Sequence, residues 1–328
     1  MEEKISDLEA KAPSAESPDS NAASTVPAPP PARMHTVFIG RTGLRTGWRL
    51  LLFVALWGGS LSLLTVAVPY VLPHARGIWH DLVDEVNRLV AALTAALVMA
   101  RIEKRPLGAY GLPARGAFGK SFWWGAVWGM AGLSVLMLAI GAAGDFTITG
   151  LALHGVRILK FALFWGVFFL VVGFFEELFF RGYPQFTLTQ GMGFWPAALL
   201  LSFIFGSSHL GNGGESLIGC ACAVLIGIFL CLTLRRTGNL WFAVGFHASW
   251  DWGESYLYSV PDSGDLSPGH LLQSSFHGSR WVTGGSVGPE GSLMVLLVIA
   301  LLWVAFDRVY REAKYPMRSH LDGQLKLQ

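Results

Sequence analysis

Long stretches without a charged residue constrain this chain more than any other feature of its sequence. No Asp, Glu, Lys or Arg occurs from Leu50 to Pro73 or from Ser121 to Gly144. About 20 apolar residues are enough for a helix to cross the hydrocarbon of a bilayer. Over the whole chain 52% of residues are hydrophobic and 14% are charged, against about 25% charged in an ordinary soluble domain. The sequence therefore argues against a soluble globular enzyme, excludes a disordered chain and predicts a membrane protein.

Eight segments have the length and composition of transmembrane helices, and they are 50–73, 78–100, 121–144, 159–184, 194–209, 217–234, 240–258 and 291–306. Lys and Arg collect in the loops on one side of these segments, and the opposite loops carry only Arg76, Arg157, Lys160 and Arg280. Basic loops stay in the cytoplasm, so this pattern places both termini there and requires an even number of spans. The predicted fold class is all-α, a polytopic membrane helix bundle of about eight transmembrane helices.

The chain is expected to have three regions. Residues 1–36 are rich in Ala, Pro, Ser and Asp and predict a disordered cytoplasmic tail. Residues 37–312 form the membrane-embedded domain, and residues 313–328 a cytoplasmic C-terminal tail. The net charge of +2 gives no case for a nucleic-acid partner, so the expected partner is the lipid bilayer. No N-x-S/T sequon occurs, which suits a multi-pass protein of a bacterial plasma (inner) membrane.

Charged side chains inside apolar helices are the strongest indication of function. Each costs about 2.5–3.5 kcal/mol to insert at a helix centre, so its presence needs a reason. Glu176, Glu177 and Arg181 lie among Phe and Leu residues in the fourth segment. On a helix Glu177 and Arg181 are four residues apart and can pair, while Glu176 points about 100° away. This geometry leaves Glu176 as the carboxylate available for acid/base chemistry.

Two further segments carry histidines at helical spacing. Phe205 and His209 close the fifth segment, and His247 and Asp251 share one face of the seventh. Each feature also has a purely structural explanation. The Glu-Arg pair could join two helices, His209 could lie at the headgroups, and His247 with Asp251 could link helices by hydrogen bonds. One shared polar site is more economical than three separate links.

In order, these residues spell EE-x-x-x-R (Glu176–Arg181), F-x-x-x-H (Phe205–His209) and H-x-x-x-D (His247–Asp251). This set resembles the CAAX protease and bacteriocin-processing (CPBP, Abi) family of intramembrane proteases, over a motif core of residues 158–258. The resemblance implies an endopeptidase that acts on a peptide or membrane-protein substrate. Glu176 and His209 would activate a water molecule, and His247 and Asp251 would stabilise the tetrahedral oxyanion or orient the substrate. Glu177, Arg181 and Phe205 would support the site.

The metal requirement and two other functions stay open. A set of Glu176, His209 and His247 could hold Zn²⁺ with one free coordination position, although the H-E-x-x-H helix of many zinc proteases is absent. The chain could instead be a non-catalytic scaffold, such as a bacteriocin-immunity protein that keeps the motif. It could also be a proton-coupled carrier, although the sequence has no internal repeat of the kind that transporters use.

Overall fold

The computed structural model describes residues 39–40 and 43–316. The chain divides into two compact units, Met1–Gly43 and Leu44–Gln328. The described part of the first unit holds strand β1 (Ile39–Gly40), and strand β2 (Gly43–Leu44) lies at the boundary. The predicted tail of residues 1–36 and residues 317–328 lie outside the described residues, so these two regions stay predictions.

The second unit is mainly helical. Its described α-helices are α1 (Thr46–Val71), α2 (Ile78–Ile102), α3 (Lys120–Ala142), α4 (Val156–Glu176), α5 (Tyr183–Met192), α6 (Phe194–Ser208), α7 (Leu217–Thr237), α8 (Trp241–Trp252), α9 (Arg280–Thr283) and α10 (Leu293–Val309). Two π-helical turns, Glu177–Gly182 and Gly253–Tyr258, follow α4 and α8. Short 3-10 turns occur at Leu107–Tyr110, His209–Gly211 and Pro289–Gly291.

A helix lies at each of the eight predicted spans. Five of them are long and apolar enough to cross a membrane, namely Thr46–Val71, Lys120–Ala142, Val156–Met192, Phe194–Gly211 and Leu217–Thr237. Helix α2 is interrupted by charged residues, and α10 is only 17 residues long. The structure therefore supports a multi-pass helical membrane protein, while the count of eight spans and the side of the termini stay predictions.

Glycines allow α3 and α8 to pack with their backbones in contact. A β-carbon at Gly125 of α3 would overlap the carbonyl oxygen of Phe242, and one at Gly245 of α8 would overlap the carbonyl oxygen of Phe122. Small residues at such crossings are typical of membrane helices, where close van der Waals packing drives association. Helix α8 also packs against α4 and α7, so it occupies a central position in the bundle.

The structure is mainly helical, as predicted, and also contains a small sheet in the connections between helices. Strand β3 (Phe146–Leu151) pairs antiparallel with β4 (Leu272–Phe276), with an irregularity between Ile148 and Gly150. Both strands lie in connections between helices, and β3 alternates polar and apolar residues as half-exposed strands do. The strands are too short to stand out in the sequence from the loops around them.

Candidate active site

The two adjacent glutamates lie where α4 changes into a π-helical turn. Glu176 is the last residue of α4, and Glu177 begins the turn that ends at Gly182. Such single π turns within α-helices occur often at functional sites. The side chain of Glu176 is 22% exposed and faces a cavity, whereas that of Glu177 is fully buried. The two carboxylates therefore occupy different environments, as the helix-face argument predicts.

Glu177 is held by two donors on one oxygen. Arg181 Nη1 and His247 Nδ1 each lie 3.0 Å from Glu177 Oε1. Arg181 is itself fully buried, with its guanidinium carbon 4.2 Å from the centre of the Phe205 ring. The predicted Glu177–Arg181 pair is therefore present, and Phe205 contacts it from α6 by a cation–π interaction.

His247 is surrounded by three carboxylates. In addition to the contact with Glu177, its Nε2 lies 3.3 Å from Glu176 Oε2 and 3.5 Å from Asp251 Oδ2. The last contact spans one turn of α8, as the sequence spacing predicts. Gly173 has no side chain, and this allows α8 to approach α4 closely here. A β-carbon at this position would lie only 3.3 Å from α8 backbone atoms. Carboxylate oxygens accept hydrogen bonds, so this arrangement favours an imidazole that donates from both nitrogens.

His209 faces the same cavity from a different position. Helix α6 ends at Ser208, so His209 begins the 3-10 turn beyond it, and its Nδ1 lies 2.8 Å from the Phe205 carbonyl oxygen. The Phe205 ring lies near both histidines, 4.7 Å from the His209 ring and 6.3 Å from the His247 ring, centre to centre. Among the described residues, no hydrogen bond or ion pair joins His209 to Glu176 or His247.

The cavity has a volume of about 590 Å³ and is rich in acidic side chains. Glu176, His209, His247 and Asp251 all line it. So do acidic residues that the motif analysis missed, namely Asp81, Asp84, Glu85, Glu215, Asp262, Asp265 and Glu290. Burial, reinforced by the negative charge of Glu290, raises the pKa of Glu215 above its ordinary value. Most of these acids come from loops or helix ends, where no periodicity marks a residue as facing a cavity.

The zinc prediction is not supported by this geometry. In the part of the chain that the structure describes, only Glu254, Asp262 and Glu290 form a cluster of possible metal ligands within 4.8 Å of one another. Glu176, His209 and His247 do not form such a cluster. Zinc at the motif residues therefore stays a prediction, and no step below depends on it.

A second polar network lies near the far end of the π turn. Glu103, just after α2, accepts hydrogen bonds from Tyr183 (2.6 Å), Arg49 (2.8 Å) and Tyr110 (2.8 Å). Burial alone would raise the pKa of Glu103, but these three donors together lower it. Tyr183 follows the π turn directly, so the network fixes the end of the segment that carries both glutamates.

Comparisons with known proteins bear on the same residues. Residues 158–253 match the sequence model of the Rce1-like family, described as type II CAAX prenyl endopeptidase Rce1-like. No curated protein matches the chain. The matched segment contains all three motifs, from Glu176 to Asp251. The segment that builds this site is therefore similar to the Rce1-like family, in agreement with the CAAX protease resemblance of the motifs.

Proposed function

We propose that the chain is an intramembrane endopeptidase of the CAAX protease type, with Glu176 as its general base. One observation carries the proposal. Of two adjacent carboxylates, Glu177 is buried and fixed by Arg181 and His247, while Glu176 faces the cavity with its oxygen 3.3 Å from His247 Nε2. A base needs access to water and a defined orientation, and Glu176 has both.

The reaction follows from these positions. Glu176 takes a proton from a water molecule in the cavity, and the resulting hydroxide attacks the carbonyl carbon of the scissile peptide bond. The oxyanion that forms accepts a hydrogen bond from an imidazole N–H. Glu176 then returns the proton to the leaving nitrogen as the C–N bond breaks, which gives a carboxylic acid and an amine.

The neighbouring residues have separate parts in this proposal. His247 is oriented by Glu177 on one nitrogen and approached by Asp251 on the other, so it can present a donor at a fixed angle. His209 lines the same cavity next to Phe205 and would contact the water or substrate there.

The substrate class follows from the location and the family match. The motif residues lie in apolar helices, so the scissile bond would enter from a membrane-associated peptide or membrane protein. A prenylated CAAX peptide is the first candidate because the matched family is described by that substrate. A bacterial plasma membrane is the proposed location.

Cleaved protein termini test the proposal in cells. New N- and C-termini are compared between cells with the wild-type protein and cells with Glu176→Gln, which keeps the shape of the side chain and removes its charge. The matched control is Glu312→Gln, at an exposed glutamate beyond α10. We expect termini that disappear with Glu176→Gln and persist with Glu312→Gln.

Two outcomes would favour the other functions. A scaffold predicts the same set of termini in all three strains, with the biological role intact in Glu176→Gln. A carrier predicts proton flux in liposomes that Glu176→Gln abolishes, with no difference in termini.

A further inference from the structure

Three acidic side chains outside the three motifs lie close together, and two of them, Asp262 and Glu290, line the same cavity. Glu254 is in the π turn after α8, Asp262 is in the loop that follows, and Glu290 is in the 3-10 turn before α10. One carboxylate oxygen from each lies within 4.8 Å of the other two. Three segments that are separate in sequence thus bring three like charges to one point.

Glu254 is the least expected member of this group. It is fully buried, and neither of its carboxylate oxygens accepts a hydrogen bond. The indole of Trp250, one turn earlier, instead donates to Glu290 Oε1 at 3.0 Å. A buried carboxylate without a donor is unfavourable unless something positive compensates it. The carboxylate of Glu254 therefore points into the cluster without a partner from the protein.

Two of the three carboxylates accept hydrogen bonds from neutral serine hydroxyls. Ser255 Oγ donates to Asp262 Oδ2 at 3.2 Å, and Ser263 Oγ donates to Glu290 Oε2 at 2.9 Å. Among the described residues no Lys or Arg forms an ion pair with any of the three acids. The two serines therefore orient Asp262 and Glu290 and leave Glu254 without a donor.

We propose that Glu254, Asp262 and Glu290 bind a hard divalent cation, with Ca²⁺ as the best fit. All three ligands are carboxylate oxygens, which hard cations prefer, whereas zinc and copper sites usually include nitrogen or sulfur. Ca²⁺ accepts six to eight oxygens in irregular geometry, so water from the cavity can complete its shell. Asp262 and Glu290 line the cavity, which gives the ion a route to the site.

The bound ion would join three parts of the fold. It would tie the end of α8, the loop after it and the start of α10 to one another, next to the cavity that holds Glu176. The site is distinct from the proposed catalytic residues, so its occupancy can be measured without any peptidase assay. This proposal does not depend on the proposed function. A protein that binds no cation could still be a peptidase, and a protein without peptidase activity could still bind the cation.

Calcium binding by the purified full-length protein tests this proposal. The protein is stripped with a chelator in detergent, and thermal unfolding and calorimetric titration are recorded with Ca²⁺ and, separately, with Mg²⁺. We expect a saturable rise in Tm, because an ion that binds only the folded state stabilises it. Glu254→Gln should raise the Kd at least about tenfold, since even second-shell changes cost this much.

Further variants keep the test decisive. If Glu254→Gln does not fold, Asp262→Asn and Glu290→Gln should each weaken binding in the same way. Asp81→Asn is the matched control, because Asp81 lines the same cavity outside the cluster, and it should keep the wild-type response. No binding of either ion by folded wild-type protein, or equal binding by wild type and every cluster variant, would overturn the proposal.

Discussion

Replacing Glu177 with glutamine should destabilise the folded protein far more than the same change at Glu176. The two residues are adjacent and chemically identical, so the comparison controls for composition and helix propensity. They differ in what surrounds them. Glu177 is fully buried with two donors at 3.0 Å, whereas the side chain of Glu176 is 22% exposed and has His247 Nε2 at 3.3 Å. The difference in stability between the two variants therefore tests whether Glu177 has a structural role that Glu176 does not share, as the proposed mechanism requires.

The expected magnitudes follow from burial. Removing the charge of Glu177 leaves the fully buried guanidinium of Arg181 uncompensated. Breaking a buried ion pair from one side costs about 3–5 kcal/mol. The Glu176 contact is partly screened by solvent, and pairs of that kind contribute about 0–1 kcal/mol. The free energy of unfolding should therefore fall by at least about 2 kcal/mol more for Glu177→Gln than for Glu176→Gln.

Thermal or denaturant unfolding of purified protein in detergent gives both values. A double-mutant cycle with Arg181→Met adds an internal check. The double variant Glu177→Gln/Arg181→Met should lose less stability than the two single changes added together, because it leaves neither charge buried alone. Equal destabilisation by Glu176→Gln and Glu177→Gln, or strict additivity in the cycle, would refute the assignment of Glu177 as the structural partner of Arg181.

Three other predictions concern packing, pH and topology. Gly245→Ala should destabilise the protein by about 1–3 kcal/mol in the same unfolding assay, because its methyl group meets a carbonyl of α3. Gly58→Ala on α1, with nothing within 4 Å of the added carbon, should be neutral or stabilising by up to about 1 kcal/mol. The folded pKa of Glu103 is lowered, so its contribution is complete above its unfolded pKa of about 4.3 and is lost as the pH falls through the folded value. The difference in unfolding free energy between wild type and Glu103→Gln should therefore be largest near neutral pH and should shrink as the pH falls below about 4.3. A difference that does not change with pH would contradict this prediction. A cysteine introduced within residues 1–36 should react with a membrane-impermeant maleimide only after cell lysis, and labelling of intact cells would contradict a cytoplasmic N-terminus.

The local pattern of the sequence was enough to predict most of the helices and part of the site. Helical spacing fixes contacts within one element, so the pairs Glu177–Arg181 and His247–Asp251 follow from a spacing of four residues.

Contacts between elements could not be read in the same way. The approach of His247 to Glu177 depends on how α4 and α8 cross. Gly173 allows this crossing, but a glycine in the sequence does not predict which helix will pack against it. The π turns leave no periodic signature, because they interrupt the pattern for a single turn. Asp262 lies in a Gly/Ser/Pro-rich stretch, and Glu290 lies at its end. Their positions at the cavity depend on the path of this loop, which has no periodic pattern in the sequence.

The peptidase turnover of Glu176→Gln tests the central claim most directly. Wild-type protein and the variant are placed in liposomes with a prenylated CAAX peptide, at equal folded amounts confirmed by thermal unfolding. General acid–base catalysis contributes about 10²–10⁴-fold, so cleavage should fall by at least about a hundredfold in Glu176→Gln and stay at the wild-type rate in Glu312→Gln. Folded Glu176→Gln that cleaves the peptide as fast as the wild type would contradict the assignment of Glu176 as the base.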